Sequence, residues 1–406
     1  MHTPHHGGTG SVGRKINHTD ENSPRLTRTM PNRNSLSLAD WRNRFAAVRE
    51  AVRLGQAHAL KQARQLHRQM PASLPVEERL ALHETLSRAA WGQQAYATMQ
   101  HHARLLAAEA SESNLLTHRI TALQLLAQAA YDQGKRSQAL RHWLASLEDA
   151  DNQENLGALC EACLGIGSLL QQDNRDDAAS QILQFAFTLA QDAGLRRLQF
   201  RSGLLLAAHC SVRQDAAGLA RQLDALAGLP QNEIDTAWRV DLDNFHARLH
   251  ILQREPAAAE PLCLQASRTA HQCRYKWGEL QARLQLADIA RLRKDTGNAI
   301  IIQREALAFA ATSNALKRLP LSHLRQLADM QESCGQFAEA LASLESWHEL
   351  HCAAQAERQR QAQRISAHDA RLLQLHQQIA TLKLERRALL RELQQLKAPA
   401  ASEVSA

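Results

Sequence analysis

Two short stretches of this chain hold residue types at spacings that could do chemistry: Cys160-Glu-Ala-Cys163 and His348-Glu-Leu-His351-Cys352. A Cys-x-x-Cys pair exchanges disulfides when it opens a helix beside a strand, and holds zinc when a second ligand pair completes the tetrahedron. Here both cysteines fall inside a helical period, and the residues forty positions earlier, Ile120 and Leu123, are apolar. Free cysteine in such a place behaves as a small buried hydrophobe, so core packing is expected. The second stretch nearly matches the zinc-protease pattern, whose two histidines stand four apart on one helix face with a glutamate as base. The second histidine comes one residue early, the fourth position is Cys352, and no third ligand is evident. A solvated helix face is the expectation there. His2, His5 and His6 lie in a polar tail, and His101-His102 has no partner pattern. There is no P-loop, no dinucleotide fingerprint, no nucleophile elbow and no paired-carboxylate motif with context. The sequence therefore predicts no catalytic residue, no cofactor and no metal site, and a non-enzymatic function.

The elements around these stretches repeat. Stepping by forty from Ala127 gives Ala47, Ser87, Ala127, Gly167, Ala207, Ala247 and Ala287, with Ala328 one residue late. The preceding residues are Ala46, Leu86, Leu126, Ile166, Leu206, His246, Leu286 and Leu327. Twelve residues after each small position stand Ala59, Met99, Ala139, Ala179, Leu219, Ala259, Ala299 and Ala340. Polar turns lie between the columns, at Gly55, Gly134, Asn174, Asp215, Glu255-Pro256, Gly297 and Gly335. This register predicts an array of helical hairpins in which the small residue and its partner twelve further on meet where the two helices cross. One hairpin cannot bury its apolar face alone, so the hairpins stack.

Composition agrees with an all-α chain. Leu, Ala, Gln and Arg dominate, aromatics are 4%, Gly numbers 17 and Pro 10 in 406 residues. No apolar run reaches the ~18 residues of a spanning helix, no secretory h-region is present, and seven cysteines suit a reducing cytoplasm. The formal charge of +7 sits at the ends. Residues 1–36 hold five Lys/Arg against Asp20 and Glu21, and residues 357–397 hold nine against four acids.

These columns resemble the tetratricopeptide repeat, on Leu126-Ala127, Gly134, Ala139 and Trp143 in one copy and Leu327-Ala328, Gly335, Phe337 and Ala340 in another. The period near forty, rather than 34, implies longer helices. The resemblance covers residues 37–356 and implies a solenoid of about eight hairpins, bounded by disordered tails at 1–36 and 398–406. It also implies that the first helix of each hairpin lines a concave groove. That groove would take Glu84, Arg88, Trp91, Gln124, Gln128, Tyr131, Leu164, Ser168, Gln171, Asn244, Arg248, Leu284, Asp288, Arg291, Arg325 and Asp329. Arginine and aromatic side chains are the usual anchors for a peptide.

From Phe337 to Lys397 the chain has neither Pro nor Gly. Ile365, Leu372, Leu375, Ile379, Leu382, Leu389, Leu393 and Leu396 fall on a three-four spacing, with His368 and Arg386 in the polar core slots. This predicts a coiled coil over 357–397 that dimerises; a long amphipathic helix folded back on the array is the alternative. The stretch from Ala340 through LESWHELHCAAQAERQRQ to LKLERRALLREL is similar to the signalling helix of bacterial tetratricopeptide-containing diguanylate cyclases. No GGDEF sequence occurs, so no cyclase activity follows. The expected function is a scaffold or adaptor that binds a protein segment in the groove; a nucleic-acid-associated regulator using the basic ends is the alternative.

Overall fold

The computed structural model describes residues 36–389 apart from 54, 55, 57, 94, 174, 230–233, 313–320, 366, 368, 380, 383, 384 and 386–388. The tail to residue 35 with its four histidines, Gly55, Asn174, His368, Arg386, Leu393, Leu396 and the end at 398–406 lie outside the described residues. Among the described residues there is no strand. Sixteen bounded helices pair into hairpins: α1 (Leu38–Arg53) with α2 (Ala59–Arg68), α3 (Val76–Gly92) with α4 (Tyr96–Glu112), and α5 (Leu116–Asp132) with α6 (Arg136–Asn152). Then follow α7 (Leu156–Gln172) with α8 (Asp176–Asp192), α9 (Arg196–Val212) with α10 (Ala216–Ala227), and α11 (Thr236–Leu252) with α12 (Pro256–Gln272). The last two pairs are α13 (Lys276–Leu292) with α14 (Thr296–Ala311) and α15 (Leu321–Ser333) with α16 (Phe337–Gln363).

The period of forty has a simple origin. Ten helices, α3 to α9 and α11 to α13, are 17 residues long and are followed by links of three. The middle residue of a link turns left-handed: Asn114, Gly134, Glu154, Gly194, Gln214, Arg254, Arg274 and Lys294 all have φ between 54° and 75°. The third link residue then donates its N–H to a carbonyl five residues back, as Lys135 does to Ala130 and Leu195 to Ala190, each at 2.8 Å. Both bonds satisfy carbonyls that the helix end leaves open.

Close packing fixes where hairpins cross. The small positions Ser87, Ala127, Gly167, Ala207, Ala247, Ala287 and Ala328 are buried, as are their partners Met99, Ala139, Ala179, Leu219, Ala259, Ala299 and Ala340. Ser87 even donates its hydroxyl to the Met99 carbonyl at 3.3 Å. A Cβ added to Gly167 would lie 2.6 Å from Leu183, and one on Gly165 would lie 2.1 Å from the Trp143 ring. The first copy departs from the expected register: Ala47 is exposed, and Trp41, Phe45, Val48 and Ala51 face inward instead. The apolar stripe of α1 packs toward α2 and α3.

Each odd helix packs on the next odd one from α1 to α13, whereas successive even helices do not pack comparably on each other. The odd helices therefore form the tight inner side. The expected unbroken terminal helix needs correction. The chain turns at Arg364 and Ile365, and a second helical stretch, 369–379, lies back on the array. Leu373 is buried there with Ile365 and Leu372 against the core around Trp143 and Leu183. Asp369 pairs with Arg141 at 3.7 Å, and Ser137 donates to Gln361 at 3.4 Å. The buried stripe is centred on Leu373, beside the heptad seam, so Leu375, Leu382 and Leu389 remain exposed while Ile379 is half-buried. Leu373 stands outside the three-four pattern, and that is why the heptads alone suggested a free coil.

Two glycine substitutions separate the two constraints. Gly165→Ala forces a methyl into the indole and is expected to cost about 1–3 kcal/mol. Gly134→Ala meets no atom within 4 Å and should cost only the left-handed backbone penalty, about 1 kcal/mol. Urea-unfolding midpoints measured side by side check the order.

Candidate functional site

The inner face presents most of the sequence-predicted groove residues on successive odd helices. On α3, Glu84 and Arg88 pair at 2.8 Å along one helix side. Trp91 is 48% exposed, and its indole N–H donates to Asp132 on α5 at 2.8 Å. Gln128 donates to the other oxygen of Asp132 at 3.1 Å, and the Tyr131 hydroxyl accepts from Gln172 at 2.6 Å. Gln124 reaches the Ala158 carbonyl on α7 at 3.0 Å, and Gln171 reaches the Leu205 carbonyl on α9 at 3.4 Å. Ser168 donates to the carbonyl of Leu164 one turn back. Leu164 and Leu284 are buried core residues and do not line the face. Asn244, at the same offset, is buried as well; these helices turn that position inward, so the rule that placed all three in a groove fails there.

In the C-terminal half, Asn244 donates to the Gly278 carbonyl at 3.1 Å. Arg248 and Arg291 each bond Asp288 at 3.1 Å, and Gln326 donates to the same carboxylate at 3.0 Å. Asp288 is only 5% exposed, and a buried carboxylate needs such partners. His323 lies beside this group; burial lowers its pKa, and Asp288 opposes that shift. The buried Asn244 Oδ1 and His323 Nδ1 have no hydrogen-bond partner. Arg325 lies over the Trp347 ring with 5.4 Å to its centroid, and Asp329 is exposed. Sequence reasoning missed Asp132, Gln172, His323, Gln326 and Trp347. The spacing held a signal for some of them: Trp91 to Asp132, Tyr131 to Gln172 and Arg248 to Asp288 are each one repeat apart, at 41, 41 and 40 residues.

The stretches with chemical potential are placed as follows. Cys160 and Cys163 are core residues. The Cys160 thiol donates to the Ala186 carbonyl at 3.4 Å, and burial pushes its pKa up to about 12. A thiol held protonated is a poor nucleophile. His348 and Cys352 approach to 3.6 Å on the exposed side of α16, and His351 stacks on Trp347 with ring centroids 5.0 Å apart. Among the described residues, no three His, Cys, Asp or Glu side chains converge on one point. No described helix is long and apolar enough to cross a membrane.

Fold and face together define a tetratricopeptide-like helical solenoid. Two solved structures are similar over most of the chain. One is a Rap protein complexed with competence and sporulation factor, at a TM-score of 0.53 and 13% identity, covering 86% of this chain and 99% of that one. The other is the apo form of RapI, at 0.52 and 12%, covering 68% and 100%. At such identities the likeness concerns the fold. No protein-family model and no curated protein matches the sequence.

Burial sorts the seven thiols into two extreme sets with Cys210 between them. Cys273, Cys334 and Cys352 are exposed and should alkylate within the dead time of a native labelling experiment. Cys160, Cys163 and Cys263 should react only after denaturant is added, as peptide mass spectrometry would read directly.

Proposed function

We propose that this chain is a non-catalytic regulator or adaptor that grips an extended protein segment along the inner face of the array. The observation behind this reading is continuity. It holds in two runs: side chains of α3, α5 and α7 each reach the next odd helix, and those of α11 reach α13, whose Asp288 also accepts from Gln326 on α15. Indole, phenol and guanidinium groups remain accessible in those runs, and such groups anchor peptides most effectively. The similar Rap structure holds a factor, which supports a binding role for the same fold. A signalling use, of the kind the resemblance of the terminal helix implies, belongs to this reading.

The reading includes a homodimer. Leu375, Leu382 and Leu389 are 49%, 63% and 60% exposed at seven-residue intervals. A leucine repeated at that interval is one seam of a coiled coil.

Capture of the full-length protein from its native cells, with and without nuclease, tests the binding role. A protein partner that survives nuclease, and is lost when Trp91→Ala is combined with Arg325→Ala in a chain of unchanged helicity, is the expected result. A catch that vanishes with nuclease sinks the reading and moves the function to the basic ends. Light scattering tests the dimer. The wild type should have the mass of two chains, and the triple Leu375→Glu, Leu382→Glu, Leu389→Glu variant that of one; a wild-type mass of one chain refutes it.

A further inference from the structure

Three histidines meet where the first hairpin packs on the second. His67 comes from the last turn of α2, His83 from α3 and His102 from α4. Their ring centroids form a near-equilateral triangle with sides of 5.6, 5.5 and 5.3 Å. His83 Nδ1 and His102 Nδ1 are 3.1 Å apart, within hydrogen-bond distance when one of the two carries the proton. His83 and His102 are 8% and 7% exposed, His67 is half-buried, and the exposed His101 ring stands 5.1 Å from His102 at the mouth of the cluster.

Burial of three imidazoles at one junction is not what the repeat requires. One step of forty further on, the same three positions hold Ala107, Leu123 and His142; two steps on, they hold Leu147, Cys163 and Ile182. The neighbouring junctions are filled mainly by apolar side chains, which need no hydrogen-bond partners. A cluster of imidazoles forgoes that stabilisation.

The geometry fits a different purpose. With Zn–N bonds of ~2.05 Å in a tetrahedron, ligand nitrogens lie about 3.3 Å apart and ring centroids about 5.2 Å apart. We propose that His67, His83 and His102 form a binding site for one divalent transition-metal ion, with water in the fourth position. The three donor nitrogens do not converge as the side chains stand. The His83–His102 pair is already at ligand spacing, and the His67 ring, at the end of a short helix, completes the set by turning. An all-imidazole set selects zinc, nickel, cobalt or copper over magnesium and calcium, which want oxygen. Imidazole binds a metal in its neutral form, so occupancy should fall as the pH is lowered. A bound ion would staple α2 to the hairpin formed by α3 and α4, making the start of the array depend on metal.

Cobalt(II) is the probe for the test, added to metal-stripped full-length protein carrying His2→Ala, His5→Ala and His6→Ala to remove chelation by the tail. One equivalent is expected to bind with the intense visible bands of a four-coordinate site, to be displaced by zinc, and to raise the thermal midpoint. Adding His83→Leu and His102→Ile, which copies residues from the neighbouring repeats and is checked by circular dichroism, should abolish the equivalent. His67→Ala, at a half-buried position, should weaken it and change the bands even if the double variant folds poorly. Absence of a bound equivalent, or one that persists undiminished in these variants, overturns the proposal.

Discussion

Two helices can approach to contact distance only where one of them has almost no side chain at the crossing. That condition recurs once per hairpin from the second onward, at Ser87, Ala127, Gly167 and their successors, and the rest of the structure depends on it. Where the residue is glycine, the partner moves in fully, as Leu183 does on Gly167 and Leu226 on Gly203. Where it is alanine, both residues are sealed from solvent. The large residues around the crossing are then free to fill the gap to the next hairpin. Trp143 does this by lying flat against Gly165, joining one repeat to the next. A stack built from such contacts is stabilised through nearest neighbours.

The second constraint is length. A crossing recurs in the same orientation only if each helix and link together keep one phase. Helices of 17 residues and links of three do so, and the left-handed middle residue sets each turn. Six of the described links place a non-glycine residue there, among them Arg254, Arg274 and Lys294. Each carries a backbone cost of about 1 kcal/mol, which the carbonyl bond of the link and the packing of the hairpin outweigh.

These two constraints explain what was legible in the sequence. The small columns and turn residues are set by sterics acting on single positions, so a step of forty finds them. The inner face was legible only in part, because its members were taken one at a time, whereas Trp91, Tyr131 and Arg248 each act with a partner one repeat on. Leu164 and Leu284 show the limit of a fixed offset: a small difference in helix rotation moves a side chain from face to core. The return of the terminal helix was legible only as the alternative to a coiled coil. Heptad spacing reports an apolar seam and says nothing of Leu373 or Asp369, which fix the helix to α6 and its neighbours through contacts more than 200 residues distant in sequence. His67, His83 and His102 escaped for a related reason: they meet through three helices, at spacings that match no linear motif.

The pairing along the inner face bears on how it would bind anything. A groove of free charges would attract many partners weakly. Here Asp132 already accepts from Trp91 and Gln128, and Asp288 already holds two arginines and Gln326. A guest must therefore replace bonds rather than add them, and a poor replacement leaves a buried carboxylate unpaired, which is costly. Such a face discriminates by the penalty it imposes on wrong guests. The same bonds tie each odd helix to the next, so a guest that redirects Arg248 or Trp91 also alters the contact between repeats. In a solenoid whose stability is the sum of those contacts, the proposed binding on the inner face would be coupled to the spacing of the repeats.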